Sequence, residues 1–332
     1  MEKIEIREEQ PLSYVPLAED EAQVVQRQAA AIVDNIEQVV RGKHEQVMMA
    51  VLCLLAEGHV LIEDIPGVGK TSLVSALATT IDSQFKRIQF TPDVMPSDIS
   101  GFSIYNQKTG EFEFRAGAAM SNLVLADEIN RASAKTQSAM LEIMEERQVS
   151  VDGVTTKMPR PFMVLATQNP IDSLGTYQLP EAQIDRFMIR LSLGYPSPSD
   201  EVDVLLTGKK AKAEIGPVID GEEVQHLIEL CARVRVDRVV ASYIVNIVNA
   251  TRTHPDLKLG ASPRGSLALY ALSRAYAAYQ GRNYVVPDDV KFIAPYVLGH
   301  RIILTHGAKT DKRDPREIVA NVVSQIVVPV ED

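Results

Sequence analysis

A glycine-rich loop carries the clearest chemistry in the sequence. It follows the apolar run His59–Ile62 and precedes the helical run Thr71–Ile81. In this context, glycine amides and the helix N-terminus bind phosphate, a lysine reaches the β- and γ-phosphates, and a hydroxyl ligates Mg²⁺. Asp64 stands where the strict pattern has its first glycine, but the rest of the pattern is intact. We therefore predict a nucleotide phosphate site formed by Pro66, Gly67, Val68, Gly69, Lys70, Thr71 and Ser72.

Two carboxylates end a second apolar run, Leu123–Ala126, about 50 residues further on. Asp127 is expected to hold Mg²⁺, directly or through water, and Glu128 to polarise the attacking water. Catalysis of phosphoryl transfer consists mostly of positioning and charge stabilisation, so this pair fits ATP hydrolysis. A protein kinase would need a separate His-Arg-Asp catalytic loop, and a GTPase an Asn-Lys-x-Asp motif. The sequence contains neither motif.

Three further polar residues are candidates for the same reaction. Asn169 follows the apolar run Phe162–Thr167 and could hold the attacking water; the alternative is a turn former before Pro170. Arg186 is expected near the end of a helix over residues 179–187, as an arginine finger in trans or as a cation favoured by the helix dipole. Arg264 opens a later helix and could reach the nucleotide, or could be an ordinary surface arginine.

The elements that must position these residues alternate between strands and helices. Such alternation predicts a parallel sheet with helices on both faces. Strands are expected at residues 59–62, 85–90, 123–126 and 162–167, with helices at 22–41, 46–56 and 71–81 before or between them. After a turn-rich break at residues 195–200, the patterns are mostly helical, at 200–209, 221–233, 242–254, 262–280, 287–300 and 315–327. We expect an acidic N-terminal arm over 1–21, an α/β core over 22–195 and a smaller all-α lid over 196–332.

Two β-hairpins are predicted as insertions in the core. Residues 101–112 alternate apolar and polar positions around a glycine-containing turn, and residues 148–158 centre on Asp152-Gly153. On their pattern alone, both could be ordinary surface hairpins.

Composition limits the classes of function. The 332 residues carry 34 bases and 44 acids, a net charge of −10, which argues against a nucleic-acid coat. The 2 cysteines and 6 histidines lack metal-ligand spacing. The N-terminus has no apolar signal-peptide region, and Val47–Ala56 is too short to span a membrane. A cytoplasmic protein with no membrane span is expected.

In this order the motifs resemble the MoxR family of AAA+ ATPases over residues 30–305. The stretches that carry the resemblance are Leu125–Ala132, Met144–Val149, Ala166–Pro170, Leu179–Gln183, Gly281–Val290 and Leu298–Arg301. The resemblance implies that Lys70 and Thr71 belong to Walker A, Asp127 and Glu128 to Walker B, Asn169 to sensor 1 and Arg264 to sensor 2. It implies that Arg186 is the arginine finger, with Arg131 as a second candidate, and that Val40 and Gly42 lie near the adenine.

The resemblance also implies that the two hairpins are insertions that face a pore or a substrate, and it implies cofactors and partners. We expect ATP and Mg²⁺, a hexameric ring of identical subunits, and chaperone-like maturation of a protein client or insertion of a metal cofactor. A protein with a von Willebrand factor A domain is the expected partner. One departure is Gly117–Met120, which replaces the usual Gly-Pro-Ile-Phe before the Walker B strand and is interpreted as a packing change.

Two alternatives remain at this stage. A magnesium-chelatase-like subunit would share the partner type, and sequence discriminates it poorly. A nucleic-acid motor fits less well, since residues 90–117 hold two bases against four acids and residues 148–160 two bases against one acid. A pore that tracks phosphates needs a positive lining.

Overall fold

A five-stranded parallel sheet organises the core in the computed structural model, which describes residues 15–65, 67–169, 177–199, 201–202 and 215–328. The strand order is β2-β5-β8-β1-β9, with every neighbouring pair parallel. The bounds are β1 Val60–Glu63, β2 Phe85–Gln89, β5 Leu123–Asp127, β8 Met163–Gln168 and β9 Ile189–Leu191. The predicted α/β class with a parallel sheet is confirmed, and β9 is an additional strand that the sequence pattern did not indicate.

The sheet separates two apolar clusters because side chains alternate between its faces. On β1, Val60 and Ile62 enter one cluster and Leu61 the other. The first cluster includes residues of α1 Glu19–Glu37, α2 His44–Leu55 and α3 Lys70–Thr80, and it continues into the lid. The second lies beneath α4 Pro96–Ser100 and α5 Ala134–Glu146. The central strands β1, β5 and β8 are thus covered on both faces, as their continuous apolar runs require, whereas Lys86, Arg87 and Gln89 of the edge strand β2 are exposed.

Two antiparallel hairpins project from the core. The first pairs β3 Gly101–Asn106 with β4 Glu111–Ala116, four residues beyond its predicted end, and exposes large apolar side chains including Phe112 at 73%. The second pairs β6 Gln148–Val151 with β7 Val154–Lys157. Its turn residues, Asp152 and Gly153, have φ of 51° and 80°, as a two-residue turn of type I′ requires.

The described part of the lid is helical with one small ribbon. Its helices are α7 Gly221–Ala232, α8 Arg238–Thr253, α9 Pro263–Tyr279, α10 Pro287–Leu298, α11 His306–Thr310 and α12 Pro315–Gln325. β10 Leu257–Leu259 pairs antiparallel with β11 Ile303–Leu304, a ribbon that the all-α prediction did not include. The helix predicted over 200–209 lies almost wholly outside the described residues.

The structure corrects the predicted N-terminal arm. Residues 1–14 lie outside the described residues, but α1 already begins at Glu19. The Leu17 amide donates to the Arg233 carbonyl at 3.0 Å. Glu21 accepts a hydrogen bond from the Ala18 amide and pairs with Arg233 at 2.8 Å, and both contacts lower the pKa of its carboxyl. Acids at 19–21 therefore start a packed helix, where the helix dipole favours them.

A buried ion pair joins lid and core. Arg301, with 2% of its side chain exposed, donates from Nε to Oδ1 of Asp185 at 2.8 Å. Its other nitrogens donate to the carbonyls of Phe187 at 2.7 Å and Met188 at 2.9 Å. Ser262 donates to the second carboxylate oxygen of Asp185 at 2.8 Å. Residues 185–188, which lead into β9, are thus held by the lid.

His300 adds one more contact between lid and core. Burial lowers the pKa of its imidazole well below the usual value, so the ring is neutral at pH 7. Its Nε2 lies 2.9 Å from the carbonyl of Phe187, and a neutral ring that donates from Nε2 satisfies this acceptor.

Among the described residues, no helix combines the length and apolar character that crossing a membrane requires.

Arg301→Ala should lower the free energy of unfolding by about 3–5 kcal/mol, since it leaves a buried carboxylate and several carbonyls unpaired. Arg313→Ala is the matched control, because Arg313 pairs with Asp256 while 53% exposed and should cost about 0–1 kcal/mol. Urea unfolding followed by circular dichroism measures both. Equal stability of the two variants would contradict the importance of the buried pair.

Candidate nucleotide site

The glycine-rich loop lies at the carboxyl end of β1 and presents an open cradle. Gly67 and Gly69 have φ of 89° and 96°, and a Cβ added at either would meet no atom within 4 Å. Lys70 begins α3, and its Nζ donates to the Asp64 carbonyl at 3.0 Å. Val68 packs against the apolar core, whereas Pro66 lies outside the described residues. Thr71 and Ser72 follow in the first turn of α3.

Asp64 has a structural role that explains the missing glycine. Its carboxylate is buried, and Oδ2 accepts hydrogen bonds from the amides of Leu193 and, at 3.1 Å, Gly194. These amides follow β9, next to β1 in the sheet. The side chain therefore ties the root of the phosphate loop to the segment that leaves the core.

Asp127 ends β5 and is fixed by two neighbours. The Thr167 hydroxyl donates to Oδ1 at 2.7 Å. Arg87 pairs with Oδ2 at 2.6 Å. Thr167 lies on β8 and Arg87 on β2, the strands on either side of β5. The carboxylate is thus oriented from both sides.

Glu128 follows in the left-handed region, with φ of 55°. This turn directs its side chain to Oε2 contacts with Arg131 at 2.9 Å and with Gln89 at 3.2 Å. Its amide donates to the Thr167 hydroxyl at 2.8 Å. Arg131, the second candidate for a trans-acting cation, thus pairs with its own chain's glutamate, and a trans role for it stays a prediction.

Asn169 follows β8, which lies between β1 and β5. Because the strands are parallel, their carboxyl ends meet at one edge of the sheet. Lys70, Asp127, Glu128 and Asn169 therefore gather at that edge, which we call the carboxyl edge. In the sequence, the first and the last of these residues, Lys70 and Asn169, are 99 positions apart.

The donor set at the carboxyl edge fits Mg²⁺ bound with a nucleotide. The Thr71 hydroxyl and Asp127 carboxylate supply hard oxygen ligands, and the open glycine cradle leaves room for phosphates. Few protein ligands are needed, since Mg²⁺ keeps several waters and takes substrate phosphates. No cluster of three or more acidic, His or Cys ligands occurs among the described residues.

The residues implied for adenine, Val40 and Gly42, lie in the turn between α1 and α2. Val40 is buried in the core, and Gly42 is exposed with φ of 67°. The adjacent Lys43 donates to the Tyr195 carbonyl at 2.8 Å. Both this turn and the phosphate loop therefore contact residues 193–195, but their contact with adenine stays a prediction.

Arg186 and Arg264 lie together at the opposite edge. Arg186 pairs with Oε2 of Glu145 at 3.0 Å, and Arg264 pairs with Oε1 of the same carboxylate. Glu145 is in the last turn of α5, next to Met144, whose carbonyl is 3.0 Å from Nε2 of His59. His59 directly precedes β1, so these arginines lie at the amino edge.

His59 is held at the amino edge with its imidazole in the neutral form. Burial lowers the pKa of its imidazole to about 4, so the ring is neutral at pH 7. Its Nδ1 accepts the Val164 amide at 3.0 Å, which leaves Nε2–H to donate to the Met144 carbonyl. The end of α5 is thereby joined to β1 and β8.

Sequence reasoning missed part of the site. The helix predicted over 179–187 is only Glu181–Ile184, because residues 185–188 turn back into β9 under the hold of Arg301. Gln89, Arg87 and Glu145 were also missed. Gln89 lies opposite Asp127 in the pairing of β2 with β5. Its place in the site can be inferred only when that pairing is known.

Two family models match the chain. Residues 59–189 match the ATPase family associated with various cellular activities (AAA), and residues 249–322 match the AAA lid domain. The first range contains the carboxyl-edge residues and Arg186, and the second contains Arg264 and Arg301.

Named relatives match nearly the whole chain. The uncharacterized protein YeaC of Bacillus subtilis is 51% identical over 90% of this chain and 94% of its own. Chaperone MoxR1 of Mycobacterium tuberculosis is 41% identical over 89% of this chain and 81% of its own. A crystal structure from Cytophaga hutchinsonii, whose name assigns it to the ATPases, is 35% identical with a TM-score of 0.87 and covers 94% of this chain and 98% of its own.

Asp64→Gly, which restores the strict loop pattern, should destabilise the protein. It removes two hydrogen bonds to a buried carboxylate, a loss of about 2–4 kcal/mol. Asp64→Asn is the matched control, since its amide oxygen can still accept from both amides. Thermal unfolding should rank the variants wild type, Asn, Gly in falling melting temperature. A Gly variant as stable as wild type would show that the Asp64 clamp is dispensable.

Proposed function

Because the chain belongs to the MoxR-type AAA+ ATPases, we propose that it hydrolyses ATP at sites completed by a neighbouring copy and uses this reaction to remodel a protein client. The proposal has two parts, the shared active site and the use to which hydrolysis is put. The first rests on the geometry of this chain. The second rests on the family.

The observation that carries the first part is the separation of the two arginines from the phosphate loop. His59 and Asp64 bracket β1, and five residue steps of an extended strand span roughly 16 Å. Arg186 and Arg264 lie at the His59 end, and Lys70 lies at the Asp64 end. Arginine side chains in that position are too far from their own chain's phosphate loop to contact a nucleotide bound there. They fit a nucleotide bound at the carboxyl edge of the next subunit.

A head-to-tail assembly satisfies this geometry. The carboxyl edge of one copy faces the amino edge of the next, a heterologous interface that closes into a ring when the rotation per subunit permits. A hexamer is the size implied by the family. Each interface then holds one complete site.

The chain's own residues divide the work within such a site. The amides of Gly67 and Gly69 and the cation of Lys70 hold the phosphates. Glu128 accepts a proton from the attacking water, and Gln89 and Arg131 orient its carboxylate. Asn169 is placed to hold that water from the neighbouring strand. Arg186 of the next subunit stabilises the charge that develops on the transferred phosphoryl group.

The metal contributes one element of this chemistry. Thr71 and Asp127 would hold Mg²⁺, which would supply positive charge to the phosphates. Thr167 and Arg87 keep the Asp127 carboxylate oriented for that role.

The client is proposed from the family and from one surface. A relative at 41% identity is named a chaperone. The β3–β4 hairpin exposes Phe102, Ile104, Tyr105 and Phe112, each between 44% and 73%. Exposed apolar side chains on a projecting hairpin suit contact with another protein. We propose in addition a partner, separate from the client, that carries a von Willebrand factor A domain.

Lys70→Ala should abolish tight ATP binding, because it removes the cation at the phosphates. Glu128→Gln should retain binding and lower turnover by about 100-fold or more, because the general base is lost. Removal of Mg²⁺ with EDTA should also stop turnover. Phosphate release and binding of a fluorescent ATP analogue measure the two steps separately. Normal turnover by Glu128→Gln would show that its assignment as base is wrong.

Arg186→Ala should be inactive alone and active in a mixture with Lys70→Ala. In a head-to-tail ring, about a quarter of the interfaces in a random 1:1 mixture pair an intact phosphate loop with an intact Arg186. ATPase activity that appears only on mixing supports the shared site. Two inactive variants that stay inactive when mixed, in an assembly shown to exchange subunits, would overturn it.

The Glu128→Gln protein with ATP should retain a partner that Lys70→Ala does not. Affinity capture with both variants, followed by mass spectrometry, tests this. Enrichment of a protein with a von Willebrand factor A domain on Glu128→Gln alone is the expected result. Equal recovery on both variants would contradict ATP-dependent engagement.

A further inference from the structure

Glu145 contacts both arginines of the amino edge. Its two carboxylate oxygens are divided between them, Oε2 to Arg186 at 3.0 Å and Oε1 to Arg264. Arg186 follows the short helix α6 Glu181–Ile184, Arg264 is in the first turn of α9 in the lid, and Glu145 is in the last turn of α5. We propose that Glu145 is a positioning residue for ATP hydrolysis at the neighbouring subunit's site, where it holds the two arginines side by side. This inference rests on the proposed function.

The contacts leave donors available for phosphate. Arg186 uses NH1 for both of its described contacts, with Glu145 and with the Leu141 carbonyl at 2.8 Å. Its NH2 and Nε make no contact with another described residue, and a guanidinium carries five N–H donors in all. Arg264 reaches the carboxylate through NH2. Each arginine is therefore held by one nitrogen while others can bind an oxygen of a neighbour.

The Glu145 carboxylate also reduces the repulsion between the two arginines. Two guanidinium groups near one another repel, and they would separate if nothing lay between them. Glu145 lies between them and is 36% exposed, so water weakens each ion pair. Such a carboxylate orients the arginines without removing their positive charge from solvent. Arg186, Arg264 and Glu145 together carry a net charge of +1, which can attract a triphosphate.

Glu145 itself cannot move freely. The preceding residue, Met144, is buried, and its carbonyl accepts from His59. The following pair, Arg147 with Glu57, joins the end of α5 to the loop before β1. The carboxylate is thus a fixed point against which a lid residue and a core residue are aligned.

Space for a ligand lies in front of these groups. Arg186, Arg264 and Arg301 line a cavity of about 340 Å³ together with Glu145 and Asp185. The Asp185 carboxylate is occupied by Arg301 and Ser262. Arg147 also lines the cavity, but both of its terminal nitrogens are bound to Glu57. Arg186 and Arg264 are each held through a single nitrogen.

The experiment uses Glu145→Gln, which keeps the side-chain shape and removes the charge. Turnover should fall by about tenfold with the KM for ATP within about twofold, since the arginines act on charge that develops in the transition state. Glu146→Gln is the matched control: it makes the same change at the next residue, which is exposed and whose side chain forms no hydrogen bond or ion pair within the described part of the chain. It should hydrolyse ATP at the wild-type rate. Melting temperatures check that both variants fold, and Glu145→Ala repeats the test without an amide.

Mixing with Lys70→Ala distinguishes a role in trans from damage to the chain's own site. Lys70→Ala subunits cannot hydrolyse ATP but supply intact arginines and Glu145. In a random 1:1 mixture, half of the Glu145→Gln subunits face such a neighbour, so turnover per Glu145→Gln subunit should rise about fivefold. A role within its own chain predicts no rise.

The outcomes separate this inference from the proposed function. Failure of the Arg186→Ala and Lys70→Ala mixture to regain activity would refute the shared site itself. If that mixture works, wild-type turnover by Glu145→Gln would overturn the role of Glu145, as would a turnover above wild type. A defect in Glu145→Gln that Lys70→Ala subunits do not relieve would overturn it too.

Discussion

The arrangement of this molecule depends on the buried pair between Arg301 and Asp185. One guanidinium neutralises a carboxylate and satisfies carbonyls that a turn into β9 leaves unpaired. Without these bonds the chain between α6 and β9 would expose polar groups to an apolar interior. The same bonds fix Arg186, which lies between Asp185 and Phe187. Contacts from the lid therefore determine the position of a core residue, Arg186.

The parallel sheet then separates two sets of groups. Polar residues at the carboxyl ends of β1, β5 and β8 form the proposed phosphate and metal site, at the edge where open parallel sheets bind their ligands. The arginines meet at the amino ends, near His59. Since β1 is short and its first three residues are buried, it acts as a rigid spacer between them. This distance is set by the backbone and cannot be changed by a side-chain rotation.

The sequence predicted the parallel sheet and the carboxyl-edge residues because each has a local pattern. A glycine-rich loop or a strand that ends in two acids can be recognised within about ten residues. The contacts of Glu145 and Asp185 could not be predicted this way, since their partners are 41 to 119 residues distant. Asp64 appeared as a departure from a motif, and only the fold shows that it serves Leu193 and Gly194. The ribbon of β10 and β11 was missed because strands of three and two residues carry too little periodicity.

The distance between the arginines and the phosphate loop has a consequence for how activity scales with the amount of protein. In an open row of subunits the terminal copy lacks a donor of arginines, so a row of any length has one complete site fewer than it has chains. Closure supplies the missing site without adding a subunit. Specific activity should then rise with protein concentration over the range in which the assembly forms. If neighbouring copies complete each site as proposed, dilution that separates the subunits would lower the turnover per subunit.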